Sequence, residues 1–249
     1  MYSSKIAGIG HYVPKNVYTN NDLSRFMETS DEWIQERTGI KERRFADRYD
    51  ETTTTMGIEA AKVAMERAGT TAQDIDFIIF ATLSPDYYFP GCGVLLQREM
   101  KMKEVGALDI RNQCSGFVYA LSVADQFIKT GMYKNILVVG SEKHSFAMDF
   151  ETRSRNVSVI FGDGAGAAVL QRSEEEGQGI LSTHLHSDGA DAEILAMHYP
   201  GAHANKWLND KPAFADQELG GLFFNEDILK SGAALPYMDG PAVFKKAVV

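Results

Sequence analysis

The strongest constraint in this sequence is a regular exchange of amphipathic helical stretches and short apolar runs between residues 54 and 139. Met56, Ile58, Ala61, Val63, Ala64 and Ala68 recur at helical spacing and stop at Gly69, a natural C-cap. The run Asp76 to Thr82 then reads as a buried strand. A weak helix over Gly93 to Met102, a strand over Val105 to Ile110, a helix over Cys114 to Gly131 and a strand over Asn135 to Val139 continue the pattern. The strand runs lack period-two polarity, so both faces are expected to be covered. That predicts an α/β protein with a largely parallel sheet between helices.

The flanks extend this frame. Lys5 to Val13 reads as a strand ended by Pro14 and the asparagines at 16, 20 and 21. Thr29-Ser30-Asp31-Glu32-Trp33 carries N-cap residues and first-turn acids, and Gly39 closes a short helix after the basic Arg37. Val157 to Phe161, the turn Gly162-Asp-Gly-Ala-Gly166 and Ala167 to Leu170 predict a strand pair at a sheet edge. The polar stretch Ser173 to Gly179 predicts a junction, dividing the chain into 1–172 and 173–249. Beyond it Ile180 to His186 reads as a strand, 201–237 is irregular, and Ala242 to Val249 reads as a helix without a closing cap. With 44% hydrophobic residues and 22 glycines, a packed α/β core is within reach.

Charge and cysteine usage narrow the function classes. A formal net charge of -9 disfavours a general nucleic-acid binder, which needs Lys and Arg to replace phosphate counterions. No apolar stretch has membrane-spanning length and no signal segment opens the chain, so no membrane role and a cytoplasmic location are expected. Two cysteines make no disulfide framework and no zinc spacing. Arg37, Lys41, Arg43 and Arg44, with Arg153 and Arg155, are small basic groups that leave room for an anionic ligand. The glycines at 162, 164 and 166 have G-x-G-x-G spacing and precede a β-like run, so they read as close-packing positions and not as a dinucleotide loop. His184 and His186 share a strand face without a third ligand at a fitting spacing, so no metal is assigned.

Cys114 stands where the strand pattern changes to the helix pattern, with Ser115 and Gly116 read as the bend. The positive end of a helix dipole favours a thiolate, which makes Cys114 a candidate nucleophile. A buried structural cysteine fits the same residues. No base can be assigned from spacing, and Asp109, five residues earlier, has little support as a catalytic group.

Four ordered motifs carry a family likeness. They are Thr29-Ser-Asp-Glu-Trp-Ile-Gln-Glu-Arg-Thr-Gly-Ile40, Cys114-Ser-Gly-Phe-Val-Tyr-Ala-Leu-Ser-Val-Ala-Asp-Gln126, Leu137-Val-Val-Gly-Ser-Glu142 and Ile160-Phe-Gly-Asp-Gly-Ala-Gly-Ala-Ala-Val-Leu170. Through them the chain closely resembles the β-ketoacyl-acyl-carrier-protein synthase III group of thiolase-like condensing enzymes. The resemblance implies a thiolase-like fold, with a complete N-terminal βαβαβαββ half and an incomplete C-terminal half. It implies that Cys114 accepts an acyl group from coenzyme A, and that decarboxylative Claisen condensation with malonyl-acyl-carrier protein follows. Trp33, Arg37 and Arg155 match coenzyme A positions, and Phe89 and Phe161 match the acyl channel, with Phe89 reaching a neighbouring subunit of a homodimer. No permanently bound cofactor and no metal are implied; the coenzyme A thioester is a substrate. Without the resemblance, Trp33 reads as a helix packing residue and both phenylalanines as ordinary core.

Two departures qualify the likeness. The family's enolate-stabilising histidine and asparagine fall downstream of the helix at the end of the chain, and His203-Ala-Asn205 is read as a decoy. The chain is therefore expected to be truncated, able to be acylated at Cys114 and poor or inactive in condensation. Arg111-Asn112-Gln113 replaces the small residues usual before the cysteine, which puts a short primer in doubt. It keeps a head-to-head or specialised-pathway condensing enzyme in view, and the absent histidine keeps in view a catalytically incomplete partner subunit that binds coenzyme A or carrier protein.

Overall fold

The computed structural model describes residues 2–175, 177–197 and 234–247. His203 and Asn205, with most of 201–237, lie outside these residues. Contacts divide the chain into two compact units, one of residues 1–18, 42–146 and 162–186, the other of 19–41, 147–161 and 187–249. The elements up to residue 99 are β1 (Ser3–Tyr12), β2 (Asn16–Thr19), α1 (Asn20–Leu23), α2 (Asp31–Thr38), β3 (Glu42–Phe45), α3 (Thr53–Ala68), β4 (Phe77–Ala81) and α4 (Cys92–Glu99). After them come β5 (Gly106–Ile110), α5 (Gly116–Lys129), β6 (Asn135–Glu142), α6 (Arg155–Ser158), β7 (Gly164–Ser173), β8 (Leu195–Ala196), β9 (Tyr237–Met238) and α7 (Gly240–Ala247). Among the described residues no helix is long and apolar enough to cross a membrane.

The first unit is built on a five-stranded sheet of order β1-β7-β6-β4-β5. Alternate residues of the inner strands feed two cores. Ile78 and Phe80, Leu137 and Val139, and Ala167 and Val169 pack with Ala60, Ala61 and Ala64 of α3 and with Leu96 of α4. Ile79, Ile136, Val138, Ala168 and Leu170 pack with Ala120, Ala124 and Ile128 of α5. This two-sided burial is why the strands read as continuous apolar runs. Helix α3 comes so close to β1 that a Cβ on Gly10 would lie 2.1 Å from the Ala60 carbonyl oxygen. Only glycine fits there.

Three expectations need correction. The sheet is mixed: β4 pairs in parallel with β5 and β6, whereas β7 pairs antiparallel with both β6 and β1. A strand buried on both faces looks alike in either direction, so periodicity carried no sign of the reversal. The predicted strand pair at a sheet edge is absent, since residues 155–158 form one helical turn and β7 lies between β1 and β6. Ile180 to His186 forms no strand; the Ile180 amide donates to the Ser4 carbonyl at 2.9 Å without extending a ladder.

Candidate active site

Strands β4, β5 and β6 run in one direction, and the antiparallel β7 begins where β6 ends, with Glu142 opposite Gly164. The segments after Ala81, Ile110 and Glu142, and the one before Gly164, therefore meet at one edge of the sheet. Open α/β sheets place their ligands at the carboxyl ends of parallel strands. Cys114 is at this edge. It lies in a single 3-10 turn, Gln113–Ser115, that joins β5 to α5, and it is exposed. The structural-cysteine alternative fits Cys92 instead, which is buried in the core with its thiol pushed up to about 11, chiefly by desolvation.

The reversal into the turn occurs before the cysteine and not at Ser115 and Gly116. Gln113 has φ 47°, a left-handed backbone that costs a residue with a Cβ about 1–2 kcal/mol. Asn112 and Ser115 close the turn. The Asn112 side-chain amide donates to Ser115 Oγ at 3.1 Å, and that hydroxyl donates to the Asn112 carbonyl at 3.1 Å. The Thr82 amide donates to the Ile110 carbonyl at 3.1 Å, holding the strand end from which the turn departs.

Several carboxylates pin this edge, each through backbone donors far away in sequence. Asp109 accepts from the Cys92 and Gly93 amides at 2.6 and 3.0 Å and so caps α4, whose N-cap Gly91 has no side chain to do it. Burial pushes the Asp109 carboxyl up, against the downward pull of those two amides. Glu142 accepts from the Leu83 and Ser84 amides at 2.8 and 3.1 Å. Asp163, the acid within the glycine motif, accepts from the Ala46 and Ser145 amides at 2.7 and 2.9 Å and from the Ser145 hydroxyl. These positioning roles were missed in the sequence. A charge inside an apolar strand run, as Asp109 is, was the available signal, because a carboxylate held against the protein surface finds backbone donors.

The second unit carries the predicted coenzyme A residues. Ser30 caps α2 by accepting from the Trp33 amide at 3.1 Å, Asp31 and Glu32 lie in its first turn, and Gly39 ends it at φ 71°. Trp33 and Arg37 are four residues apart and therefore share a helix face. The Arg37 guanidinium lies over the indole at 4.5 Å from the ring centroid, and Arg155 lies over it at 4.8 Å. Arg155 also donates to the Glu28 carbonyl at 2.8 Å, while the Glu28 amide donates to Thr152 Oγ1 at 3.0 Å. Two planar cations on one indole make a surface suited to an aromatic, anionic ligand. Asp31 is further bound by Asn20 and Gln35, whose side-chain amides donate at 2.8 and 2.6 Å. Those two amides, with Asn20 the larger influence, lower the Asp31 carboxyl below its usual range.

The two phenylalanines occupy different settings. Phe89 belongs to the first unit, is 81% exposed and meets Tyr88 edge-on at 6.3 Å between centroids. Phe161 belongs to the second unit and is half-buried.

Comparison with known proteins agrees with the motifs. Residues 108–189, which include Cys114, match the family model described as 3-oxoacyl-[acyl-carrier-protein (ACP)] synthase III. The chain is 50% identical over 195 residues to a β-ketoacyl-[acyl-carrier-protein] synthase III of Ehrlichia canis, covering 78% of this chain and 60% of that protein. It is 51% identical over 192 residues to the enzyme of the same name from Aquifex aeolicus, covering 77% and 60%. It thus spans about 60% of the length of these curated relatives. The crystal structure of 3-oxoacyl-[acyl-carrier-protein] synthase III from Aquifex aeolicus superposes with a TM-score of 0.79 at 42% identity, covering 98% of this chain and 67% of that one. The thiolase-like α/β fold is borne out by that superposition, and the chain belongs to the β-ketoacyl-acyl-carrier-protein synthase III family.

Proposed function

We propose that Cys114 takes an acyl group from an acyl-coenzyme A, and that the whole protein joins that group to malonyl-acyl-carrier protein. The Cys114 thiolate attacks the thioester carbonyl, the tetrahedral intermediate collapses, and coenzyme A leaves as its thiolate. Backbone amides at the start of α5 are the donors for the transient oxyanion. In the second half-reaction malonyl-carrier protein loses carbon dioxide, and the resulting carbanion attacks the acyl-cysteine. The Cys114 thiolate is released with a 3-oxoacyl-carrier protein as product. Trp33, Arg37 and Arg155 hold the nucleotide end of coenzyme A, by stacking on its base and pairing with its phosphates. Phe161 lines the acyl channel. The exposed Phe89 is covered by a second copy of the chain and contributes to that copy's channel.

The observation that carries this reading is the exposed Cys114 on a hydrogen-bonded turn between a strand end and a helix start, in a chain 50% identical over 195 residues to a named synthase. Incubation with acetyl-coenzyme A, followed by proteolysis and mass spectrometry, tests it. An acetyl adduct on the peptide containing Cys114, absent from Cys114→Ser, is expected. No adduct, or an adduct on Cys92, refutes the proposal.

A further inference from the structure

Helix α2, which carries Trp33 and Arg37, is short and capped at both ends. It is eight residues long, and isolated helices shorter than about 12–15 residues are marginal in water. Ile34 is its one buried side chain, at 0% exposure, and packing through one apolar residue resists rolling about that contact only weakly. Rolling would swing the indole and the Arg37 guanidinium together, because both stand on one face.

We infer that Asn20 is the positioning residue that stops this roll, and thereby sets the coenzyme A subsite. The inference rests on the reading of Trp33, Arg37 and Arg155 as that subsite. Asn20 is fully buried at the first position of α1, a short helix fixed by the reciprocal capping of Thr19 and Asp22. Its side-chain nitrogen donates twice, to Asp31 Oδ1 at 2.8 Å and to the Ile40 carbonyl at 2.7 Å. Asp31 opens α2 and Ile40 follows its last turn, so one planar amide ties both ends of the helix to a fixed point. Both tethers converge on this one nitrogen, which gives the helix a second point of support besides the buried Ile34. The second Asp31 oxygen, bound by Gln35 at 2.6 Å, locks the carboxylate that receives the first tether. Aspartate has the same shape without either donor, and serine has a single donor.

The test compares acylation of Cys114 in the full chain by acetyl-coenzyme A and by acetyl-N-acetylcysteamine, a thioester without the nucleotide. In Asn20→Asp the half-saturating concentration of acetyl-coenzyme A should rise by about tenfold, the effect of losing roughly 1.4 kcal/mol of binding. Its limiting rate should hold within about twofold, and the truncated thioester should react as it does with the parent chain, since only the nucleotide contacts have moved. Asn20→Asp with Asp31→Asn restores one donor–acceptor pair in reverse and should recover part of the loss. Unchanged saturation by acetyl-coenzyme A overturns the inference, and so does an equal fall with both thioesters, which marks a general structural role. If the parent chain itself saturates equally with both thioesters, the coenzyme A subsite reading fails as well. That result is distinguishable, because it appears before any substitution is made.

Discussion

Replacing Asp163 by asparagine isolates what the acid within the glycine motif contributes. Its carboxylate is 6% exposed and receives three donors on two oxygens: the Ala46 amide and the Ser145 hydroxyl on Oδ2, and the Ser145 amide on Oδ1. Asparagine presents one oxygen. If that oxygen takes the Oδ2 position, the new NH2 group faces the Ser145 amide, and a buried donor is left without an acceptor at a cost of about 1–3 kcal/mol. The two remaining bonds change from charge-assisted to neutral, which roughly halves their strength. Relief from burying a charge offsets part of the loss, leaving a net of about 3 kcal/mol. For a chain of 249 residues each kcal/mol lowers the melting temperature by roughly 2–4 °C, so a fall of about 6–12 °C is expected. Thermal denaturation followed by circular dichroism measures it, with Ser145→Ala as the control that removes one hydroxyl bond and costs about 1 kcal/mol. An Asp163→Asn chain that melts within about 2 °C of the parent, or a control that costs as much, refutes the reasoning.

Three further outcomes follow from the structure. Iodoacetamide at about pH 8 should label the exposed Cys114 and spare the buried Cys92, whose thiol is pushed up to about 11; equal labelling without denaturant counts against the core placement. Because that folded-state value lies above the ordinary thiol value, Cys92 contributes stability below about pH 9 that is lost as pH rises through about 11, and Cys92→Ala should remove this part of the alkaline decline in urea midpoints. Gly10→Ala forces α3 to withdraw, since a Cβ at 2.1 Å from the Ala60 oxygen and 2.6 Å from the Ala64 nitrogen must reach the ordinary 3.4 Å. Both contacts are backbone, so a loss of about 3 kcal/mol in urea denaturation is expected, and a change under about 1 kcal/mol would show that the helix moves freely.

Helix limits were legible because local chemistry writes them. Gly39 and Gly69 adopt φ 71° and 63° where the sequence predicted C-caps, and Ser30 caps α2 as its position suggested. Strand direction was not legible. Along β7 the burial of Ala167 and Val169 on one face and Ala168 and Leu170 on the other is independent of which way the strand runs. The candidate site divided in the same way. The place of Cys114 between a strand and a helix was readable from the change of period, while Trp33 and Arg37 were singled out by the resemblance alone. Beyond the charge that marks Asp109 in its apolar run, the holding residues were not readable, because Glu142 and Asp163 bind backbone donors 18 to 117 positions away, and no spacing rule reaches that far.

Those distant bonds explain how the turn at Cys114 keeps its shape. A left-handed Gln113 persists only where its surroundings over-determine it, since a relaxed backbone there gains about 1–2 kcal/mol. The surroundings are present on both sides. Below the turn, β5 is fixed in register with β4 from Gly106 to Ile110, and its Asp109 is locked to the first amides of α4. Above it, Gly116 starts α5, whose Ala120, Ala124 and Ile128 are wholly buried against the sheet. With both ends immobile, the chain between Ile110 and Gly116 has too few residues to relax, and the Asn112–Ser115 pair closes the remaining freedom. Asp109 therefore acts on the Cys114 turn through the strand, by holding β5 to the first amides of α4. The exposed thiol sits on a turn whose geometry is set by the strand before it and the helix after it.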